Sequence, residues 1–349
     1  MASVVVTGAA GGLGRRVCRL VAADPAVERL LALDVRSPVD DQADVEHHLI
    51  DLAVDDLASL IDGADQLIHL ASTFGSVSDG ADPPEGEEAA IARRVLAAAA
   101  ACRVRTVVVL SSATVYGAWP NNQVPLTEEA PLRPNPGLRF AVEKAEIERM
   151  AGEWRQANDA VSVALLRPAP TVSEDGLGWV ARALDAVDGL PVGDEDPPSQ
   201  FLHLDDLASA VDVARRTRLD GPANVAPDGW LEGPDRRALA PAPRLRVPER
   251  VAVKVATWRW RLKLAPTPPG ILPYARAAWV VANDRLKALG WEPVHTNEEA
   301  FVAGHAPGPL ATMSPRRRQE LALGVAGTTI FAAGLAATAV LRRRARRSG

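Results

Sequence analysis

The feature that most constrains the fold of this chain is a glycine-rich turn after its first β-branched run. Residues 3–7 read Ser-Val-Val-Val-Thr, and Gly8, Gly11 and Gly14 follow, with a helical pattern over residues 13–22. Glycines in a strand-to-helix turn let the backbone approach a pyrophosphate, whose charge is held by the free N–H groups of the helix N-terminus. A tight turn that binds nothing is the alternative, but the position between strand and helix favours a dinucleotide site.

Strand and helix patterns alternate through the first half of the chain. Short β-branched runs predict strands at residues 3–7, 29–34, 46–50, 66–70, 105–111 and 161–167. Helical spacing predicts helices at residues 13–22, 55–61, 87–101 and 140–157. This order is typical of βαβ units, so we expect an α/β fold with a Rossmann-type, doubly wound parallel sheet of six strands.

The length of the chain indicates a second lobe. It has 349 residues, whereas single hydrophobic cores stop growing at roughly 250 to 300 residues. We assign residues 1–167 to the sheet domain and the proline-rich residues 168–305 to a smaller C-terminal substrate lobe. A strand pattern at 200–204 and the helical pattern after it predict that residues 200–222 return to the sheet. Residues 306–320 have the composition of a linker.

The charge distribution argues against nucleic-acid binding. The net charge is −5, yet residues 316–349 hold eight arginines and a single acid, so the rest of the chain is strongly acidic and repels phosphate backbones. The two cysteines, Cys18 and Cys102, are too few for a disulfide framework or a zinc site. No cluster of His, Cys and carboxylates has metal-ligand spacing. The sequence therefore predicts a protein of a reducing cytosol that binds no metal and no nucleic acid.

The choice of dinucleotide depends on two residues at the end of the second predicted strand. Asp34 lies about 20 residues beyond the last glycine of the turn, where a carboxylate accepts hydrogen bonds from the adenosine ribose. This favours NAD. Arg36 could instead reach the 2′-phosphate of NADP, which stays the less favoured alternative.

Further motifs lie at the ends of later predicted strands. They are Asp51-Leu52, His69-Leu70-Ala71-Ser72, Ser111-Ser112-Ala113-Thr114-Val115-Tyr116-Gly117, Arg167-Pro168 and Phe201-Leu202-His203-Leu204-Asp205-Asp206-Leu207-Ala208. With the glycine-rich turn, they make residues 1–300 or so resemble the extended short-chain dehydrogenase/reductase superfamily, the group of NAD-dependent epimerases and dehydratases of nucleotide sugars.

This resemblance implies a set of cofactor contacts. In the family the position of Asp51 contacts the adenine amino group, the position of Leu52 flanks the adenine ring, and the segment that holds Leu70 and Ala71 lies along the cofactor. The predicted cofactor-binding residues are Gly8, Gly11, Gly14, Asp34, Arg36, Asp51, Leu52, Leu70, Ala71 and Lys144.

The catalytic residues that the resemblance implies are incomplete here. In the family, the hydroxyl at the position of Ser112 orients the substrate, and a Tyr-x-x-x-Lys helix supplies an acid/base tyrosine and a lysine that holds the nicotinamide ribose. This chain keeps Lys144 but has Phe140 in place of the tyrosine, and phenylalanine has no exchangeable proton. General acid–base catalysis is worth about 10²- to 10⁴-fold, so the sequence predicts slow chemistry or none unless another group substitutes.

Two further positions bear on this departure. Tyr116 is the nearest tyrosine by motif, although the family uses it structurally rather than as the base. Glu88, at the start of the helix after the fourth strand, stands about where the family usually has an asparagine.

The C-terminus holds an uncharged stretch at residues 321–341, bracketed by arginines. A helix of this length would be about 31 Å long and could cross a hydrocarbon core of roughly 30 Å. We therefore expect a C-terminal hydrophobic transmembrane helix, a basic tail at 342–349, and a body held at the cytoplasmic face of the cell membrane. Gly327 and Gly334 would let two such helices pair in a homodimer. A helix buried in the fold or lying on the membrane surface is the alternative.

Two functions stay open at this point. We interpret the chain as an NAD(P)-binding oxidoreductase of the epimerase/dehydratase type that acts on a nucleotide-linked or lipid-linked sugar, with altered or weak catalysis. Ser112 and Lys144 favour this enzyme. The alternative is a non-catalytic NAD-binding protein with a structural or redox-sensing role at the membrane, and Phe140 favours it.

Overall fold

The turns that hold the candidate functional residues lie at the carboxyl ends of the strands of a parallel sheet. The structure is a computed structural model that describes residues 1–38, 45–74, 84–158, 160–188, 196–239 and 268–305, and residues 253, 254, 256–258, 260 and 262. The strands of the main sheet are β1 (Ala2–Thr7), β2 (Val27–Asp34), β3 (Glu46–Leu49), β4 (Gln66–His69), β5 (Thr106–Leu110), β6 (Ser162–Pro168) and β10 (Gly221–Val225). Their order is β10-β6-β5-β4-β1-β2-β3, and every neighbouring pair is parallel.

A second, three-stranded sheet lies C-terminal to β6. It consists of β7 (Thr171–Ser173), β8 (Gly176–Leu177) and β9 (Leu202–His203), in the order β8-β7-β9. The helices are α1 (Gly12–Ala22), α2 (Leu57–Leu60), α3 (Glu87–Ala101), α4 (Arg139–Gln156), α5 (Trp179–Asp188), α6 (Leu204–Arg216), α7 (Gly233–Leu239), α8 (Asp284–Lys287) and α9 (Asn297–Gly304). Two 3₁₀ helices cover Ala113–Tyr116 and Pro269–Ala275.

Burial on both faces of the sheet explains the apolar runs of its strands. Val4, Val5 and Val6 of β1 are all fully buried, with Val4 and Val6 in one core cluster and Val5 in another. Successive side chains of a strand point to opposite faces, so the sheet separates two cores, each covered by helices. This layering confirms the Rossmann-type parallel sheet, and residues 1–305 pack as one unit.

Two expectations about the sheet were wrong in detail. The strand predicted at 200–204 is β9, which pairs with β7 in the small sheet and not with the main sheet. The main sheet has seven described strands rather than six, because β10 adds to β6 at its edge. Pro222 argues against a strand here, because proline lacks the backbone N–H that most strand positions use in hydrogen bonds. An edge strand such as β10 tolerates a proline. Residues 200–222 therefore reach the main sheet only at their end.

The predicted C-terminal segments fall outside the described residues. These are the linker at 306–320, the hydrophobic stretch at 321–341 and the basic tail at 342–349. None of the helices in the described part of the chain has the length and hydrophobicity needed to span a bilayer.

Candidate cofactor and active site

The glycine-rich turn crosses the carboxyl end of β1, which lies between β4 and β2 in the main sheet. A Cβ added to Gly8, whose φ is +74°, would lie 2.6 Å from the Ala71 nitrogen, and one added to Gly14 would lie 2.1 Å from the Gly8 oxygen. Packing within the fold therefore requires both glycines. At Gly11 a Cβ would meet only the Gly8 oxygen, at 3.3 Å, and the Arg36 guanidinium, at 3.8 Å. The space beside Gly11 is open, next to the first N–H groups of α1.

A cleft of about 870 Å³ runs along the carboxyl ends of the strands of the main sheet. Its volume lies in the range of small-molecule and cofactor sites. The small sheet and the start of α5 form its opposite wall, through Val172, Gly176 and Trp179 among others. Nine predicted cofactor-binding residues line it: Gly8, Gly11, Gly14, Asp34, Arg36, Asp51, Leu52, Leu70 and Ala71. Lys144, the tenth, lies behind the wall of this cleft.

Asp34 and Arg36 are paired at one end of the cleft. The Asp34 carboxylate accepts hydrogen bonds from the backbone N–H of Ala10, at 3.0 Å, and from the backbone N–H and Nε of Arg36, at 3.0 and 3.4 Å. It therefore braces the glycine-rich turn while facing the cleft. Its negative charge repels a 2′-phosphate and suits ribose hydroxyls, so this end fits NAD better than NADP.

A buried ion pair occupies the other end of the cleft. Lys144 of α4 donates from Nζ to Glu88 Oε1 at 2.7 Å and to the Leu110 carbonyl at 3.1 Å. Glu88 Oε2 accepts from the backbone N–H and hydroxyl of Thr73, at 2.6 and 2.7 Å, and from the Ser72 hydroxyl at 3.1 Å. Burial raises the pKa of Glu88, but the Lys144 charge and these hydrogen bonds outweigh it and hold that pKa well below its usual range. Glu88 is thus a carboxylate counter-ion to Lys144.

His69 lies beside this pair, at the end of β4. Its Nδ1 is hydrogen-bonded to the Thr7 hydroxyl at 2.8 Å. Burial, and then the positive charge of Lys144, lower the pKa of His69 to about 4, although Glu88 acts in the opposite direction. The ring is therefore neutral at physiological pH and cannot serve as a cationic ligand there.

We expect His69 to make stability depend on pH between about 4 and 6.5. The unfolded histidine takes up a proton near its ordinary pKa of 6.5, whereas the buried ring resists protonation down to about 4, so the free energy of unfolding should fall as the pH is lowered through this window. Denaturant unfolding across the window measures this slope. His69→Asn should flatten it, and an equal slope in both proteins would contradict the assignment.

Phe140 packs in an aromatic cluster beside the ion pair. Its ring centroid lies 5.2 Å from that of Phe74 and 4.8 Å from that of Trp179, and Phe74 and Trp179 are 5.7 Å apart. Lys144 Nζ lies 5.7 Å from the Phe140 centroid. Phe74 and Trp179 line the cleft. At position 140, where the resemblance implies a tyrosine hydroxyl, this chain therefore has an apolar ring packed against two other aromatic rings.

Neither tyrosine of the chain replaces that phenol. The Tyr116 hydroxyl donates to Asn224 Oδ1 and accepts from Arg167 Nη1, both at 2.7 Å, and burial raises its pKa to about 12. The Tyr274 hydroxyl donates to the Thr114 carbonyl at 2.7 Å, and burial raises its pKa as well. Both phenols hold buried backbone and side chains together, which agrees with the structural role expected for Tyr116.

Ser112 caps the 3₁₀ helix that follows β5. Its hydroxyl oxygen accepts hydrogen bonds from the backbone N–H and the hydroxyl of Thr114, at 3.2 and 3.0 Å, and the side chain is buried. The hydroxyl proton can still be donated, because an oxygen that accepts two bonds keeps its own donor. Ala113, the next residue, lines a separate cavity of about 100 Å³ whose other walls include Leu184, Phe201 and Trp279.

Sequence reasoning missed the partners of several predicted residues. It identified Lys144 and noted Glu88 as a departure from the family, but it did not pair them, since 56 residues separate them. Phe74 and Trp179 were not singled out either. Neither sequence signal for Glu88 points to Lys144: it stands about where the family usually has an asparagine, and it lies in the first turn of α3, where acids are favoured at any helix N-terminus.

Among the described residues, no group of three or more His, Cys, Asp and Glu side chains is arranged to hold a metal ion. The cleft fits a dinucleotide instead, because the open space at Gly11 adjoins a helix N-terminus and a carboxylate stands at the ribose position. A comparison with protein families agrees: the family model of the NAD dependent epimerase/dehydratase family matches residues 4–226.

The chain belongs to the NAD dependent epimerase/dehydratase family. This confirms the resemblance seen in the sequence and NAD as the cofactor, and it agrees with the interpretation as an enzyme. An uncharacterised protein of Mycobacterium tuberculosis is 26% identical over 312 residues, which cover 85% of this chain and 82% of the relative.

Two solved structures illustrate the shared fold. The UDP-N-acetylglucosamine 4-epimerase of Methanobrevibacter ruminantium, in complex with UDP-N-acetylmuramic acid, superposes with a TM-score of 0.65 at 18% identity, covering 87% of this chain and 96% of that one. A tyrosine-to-phenylalanine mutant of the UDP-glucuronic acid 4-epimerase of Bacillus cereus, in complex with NAD and a fluorinated UDP-glucuronic acid, gives 0.64 at 15% identity, covering 86% and 97%.

Proposed function

We propose that this protein is an NAD-binding oxidoreductase of the epimerase/dehydratase type that acts on a nucleotide-linked sugar, with acid–base chemistry altered by Phe140. The observation that carries the proposal is the continuous cleft. It joins the glycine-rich turn and Asp34 at one end to Glu88, with Lys144 behind it, at the other. Membership of the family supports the same conclusion.

The residues that line the cleft, and the buried Lys144, Ser112 and Phe140 that do not, have distinct roles in this proposal. The N–H groups of α1 beside Gly11 bind the pyrophosphate, and Asp34 accepts hydrogen bonds from the adenosine ribose. Lys144 holds the nicotinamide ribose, and Ser112 orients a substrate hydroxyl. NAD held by these residues would supply reversible hydride transfer to and from the sugar. Phe140 excludes water from the reacting end but moves no proton, so we expect the reaction to be slow.

The solved structures that this chain resembles support the proposed substrate class. The epimerase of Methanobrevibacter ruminantium holds a UDP-linked sugar, and the Tyr-to-Phe mutant from Bacillus cereus holds NAD together with one. Both support a nucleotide-linked sugar here, and the second shows that loss of one tyrosine need not prevent binding in this fold. A lipid-linked sugar is the alternative, and it rests on the apolar stretch at 321–341 alone.

A non-catalytic NAD-binding protein is the second candidate. The observation that favours it is the missing phenol. Phe140 is packed against two other aromatic rings, and both tyrosines are hydrogen-bonded elsewhere. In this case NAD would stabilise the fold or report the redox state, and no sugar would be turned over.

We expect Asp34→Ala to weaken NAD binding by about 1.5 to 3 kcal/mol, the value typical of a hydrogen bond to a charged group. Titration calorimetry with NAD measures the change. Asp62→Ala is the matched control, since Asp62 is exposed and does not line the cleft. Equal NAD affinity in Asp34→Ala and the parent would refute the proposed ribose contact, and no NAD binding by the parent would refute the proposed function.

We also propose that residues 321–341 anchor the protein at the cytoplasmic face of the cell membrane, where two copies pair as a homodimer. The support is the uncharged length of the segment and its flanking arginines. Deleting residues 319–349 should move the protein from the membrane fraction to the soluble fraction without loss of NAD binding. A full-length protein that is soluble, or that carbonate or high salt strips from membranes, would exclude a spanning anchor.

A further inference from the structure

Glu88 places a negative charge at the end of the cleft opposite Asp34. The sheet order explains the separation: the glycine-rich turn follows β1, Asp34 ends β2 on one side of it, and Glu88 contacts the chain after β4 on the other side. Because Asp34 is the ribose acceptor at the adenosine end, the nicotinamide end of a bound dinucleotide belongs on the side of Glu88.

The charge of Lys144 is fully countered at this end. Both side chains are almost completely buried, with about 5% and 4% of Lys144 and Glu88 exposed, and their charged atoms are 2.7 Å apart. Thr73 and Ser72 hold the second carboxylate oxygen, so Glu88 cannot turn away from the lysine without leaving its own hydrogen bonds unmade. An asparagine at this place would leave Lys144 as an uncompensated cation.

The two forms of the cofactor differ in the charge of the nicotinamide ring. The oxidised ring carries a positive charge and the reduced ring is neutral, so a bare ammonium group nearby disfavours only the oxidised form. A carboxylate that neutralises the ammonium removes this penalty. At about 10 Å and an effective dielectric constant of about 20, one unit charge changes a binding constant by roughly tenfold.

We infer that Glu88 sets the preference of this protein between oxidised and reduced NAD, by neutralising Lys144 and so favouring the oxidised form. Glu88 is thus a specificity-determining residue for the oxidation state of the cofactor. The inference rests on the proposed NAD binding, and it holds for either an enzyme or a non-catalytic protein, since it concerns binding alone.

The test is the ratio of the dissociation constants of oxidised and reduced NAD, measured by calorimetry at low ionic strength on the full chain. Glu88→Gln removes the charge but keeps an acceptor for Thr73, and it should raise the ratio by about tenfold. Glu88→Gln combined with Lys144→Met removes both charges and should return the ratio close to that of the parent. Glu85→Gln, at an exposed acid three residues earlier, is the control and should leave the ratio unchanged.

Each outcome bears on one claim. An unchanged ratio in Glu88→Gln, with both cofactor forms still bound, would overturn the inference and leave the proposed function intact. If Glu88→Gln does not fold, Lys144→Met is compared with the double variant Lys144→Met, Glu88→Gln. Lys144→Met keeps the negative charge of Glu88 and should have the lower ratio of the two. A parent chain that binds neither form would instead overturn the proposed function.

Discussion

Phe140→Tyr is expected to raise the rate of hydride transfer by about 10²- to 10⁴-fold, the usual contribution of a positioned general acid or base. Phe140 and Lys144 are one helical turn apart on α4, and Lys144 Nζ lies 5.7 Å from the Phe140 ring centroid, so we expect a phenol hydroxyl at this position to come within reach of the lysine. Because the hydride is returned within each cycle, the gain is measured as the transient absorbance of reduced nicotinamide after rapid mixing of the NAD-loaded protein with a panel of UDP- and dTDP-linked sugars.

Two matched variants sharpen this experiment. Phe140→Leu removes the ring without adding a hydroxyl and should show no gain, which separates acid–base chemistry from a loosened aromatic cluster. Adding Glu88→Gln to Phe140→Tyr should increase the rate further, because an unpaired Lys144 can lower the pKa of the new phenol. If Phe140→Tyr binds NAD but is inactive on every sugar, the non-catalytic protein becomes the better interpretation.

Gly11→Val should abolish measurable NAD binding while leaving most of the fold intact. The side chain would enter the open space beside the N-terminus of α1, where the pyrophosphate belongs, and the protein atom nearest to its Cβ would be the Gly8 oxygen, at 3.3 Å. Calorimetry with NAD measures the affinity, and thermal unfolding without cofactor measures the fold.

The control for this variant is Gly152→Val on α4, where a Cβ meets nothing within 4 Å and the cleft is not involved. It should bind NAD like the parent. Near-normal affinity in Gly11→Val would show that the pyrophosphate does not pass over the turn. By contrast, Gly8 and Gly14 are unsuitable for this purpose, because their substitution damages the packing of the turn itself.

Local patterns predicted the elements that pack on both sides of the main sheet. The helix expected at 87–101 is α3 with the same ends, and the glycine-rich turn lies between β1 and α1 as expected. Pairing between distant segments was harder to predict. The short strand β9 has the sequence of a sheet strand, yet its partner β7 lies in a proline-rich region that gave no strand signal.

The candidate site shows the same limit. Motifs identified nine of the residues that line the cofactor cleft, since these lie at or soon after the ends of β1 to β4 in the sequence. They could not show that Lys144 is neutralised, because its partner Glu88 comes from another helix, or that Phe140 is enclosed by Phe74 and Trp179. The properties that distinguish this chain from its family thus depend on tertiary contacts.

The aromatic cluster also gives the protein an optical probe of its own. Trp179 lines the cleft and packs on Phe140 with 4.8 Å between ring centroids. Indole emission overlaps the absorption of reduced nicotinamide, so energy transfer from Trp179 should quench its fluorescence when the reduced cofactor binds. Trp179→Phe should reduce this quenching, and the reduction measures the contribution of Trp179 among the eight tryptophans of the chain. Cofactor exchange could then be followed in real time in unlabelled protein.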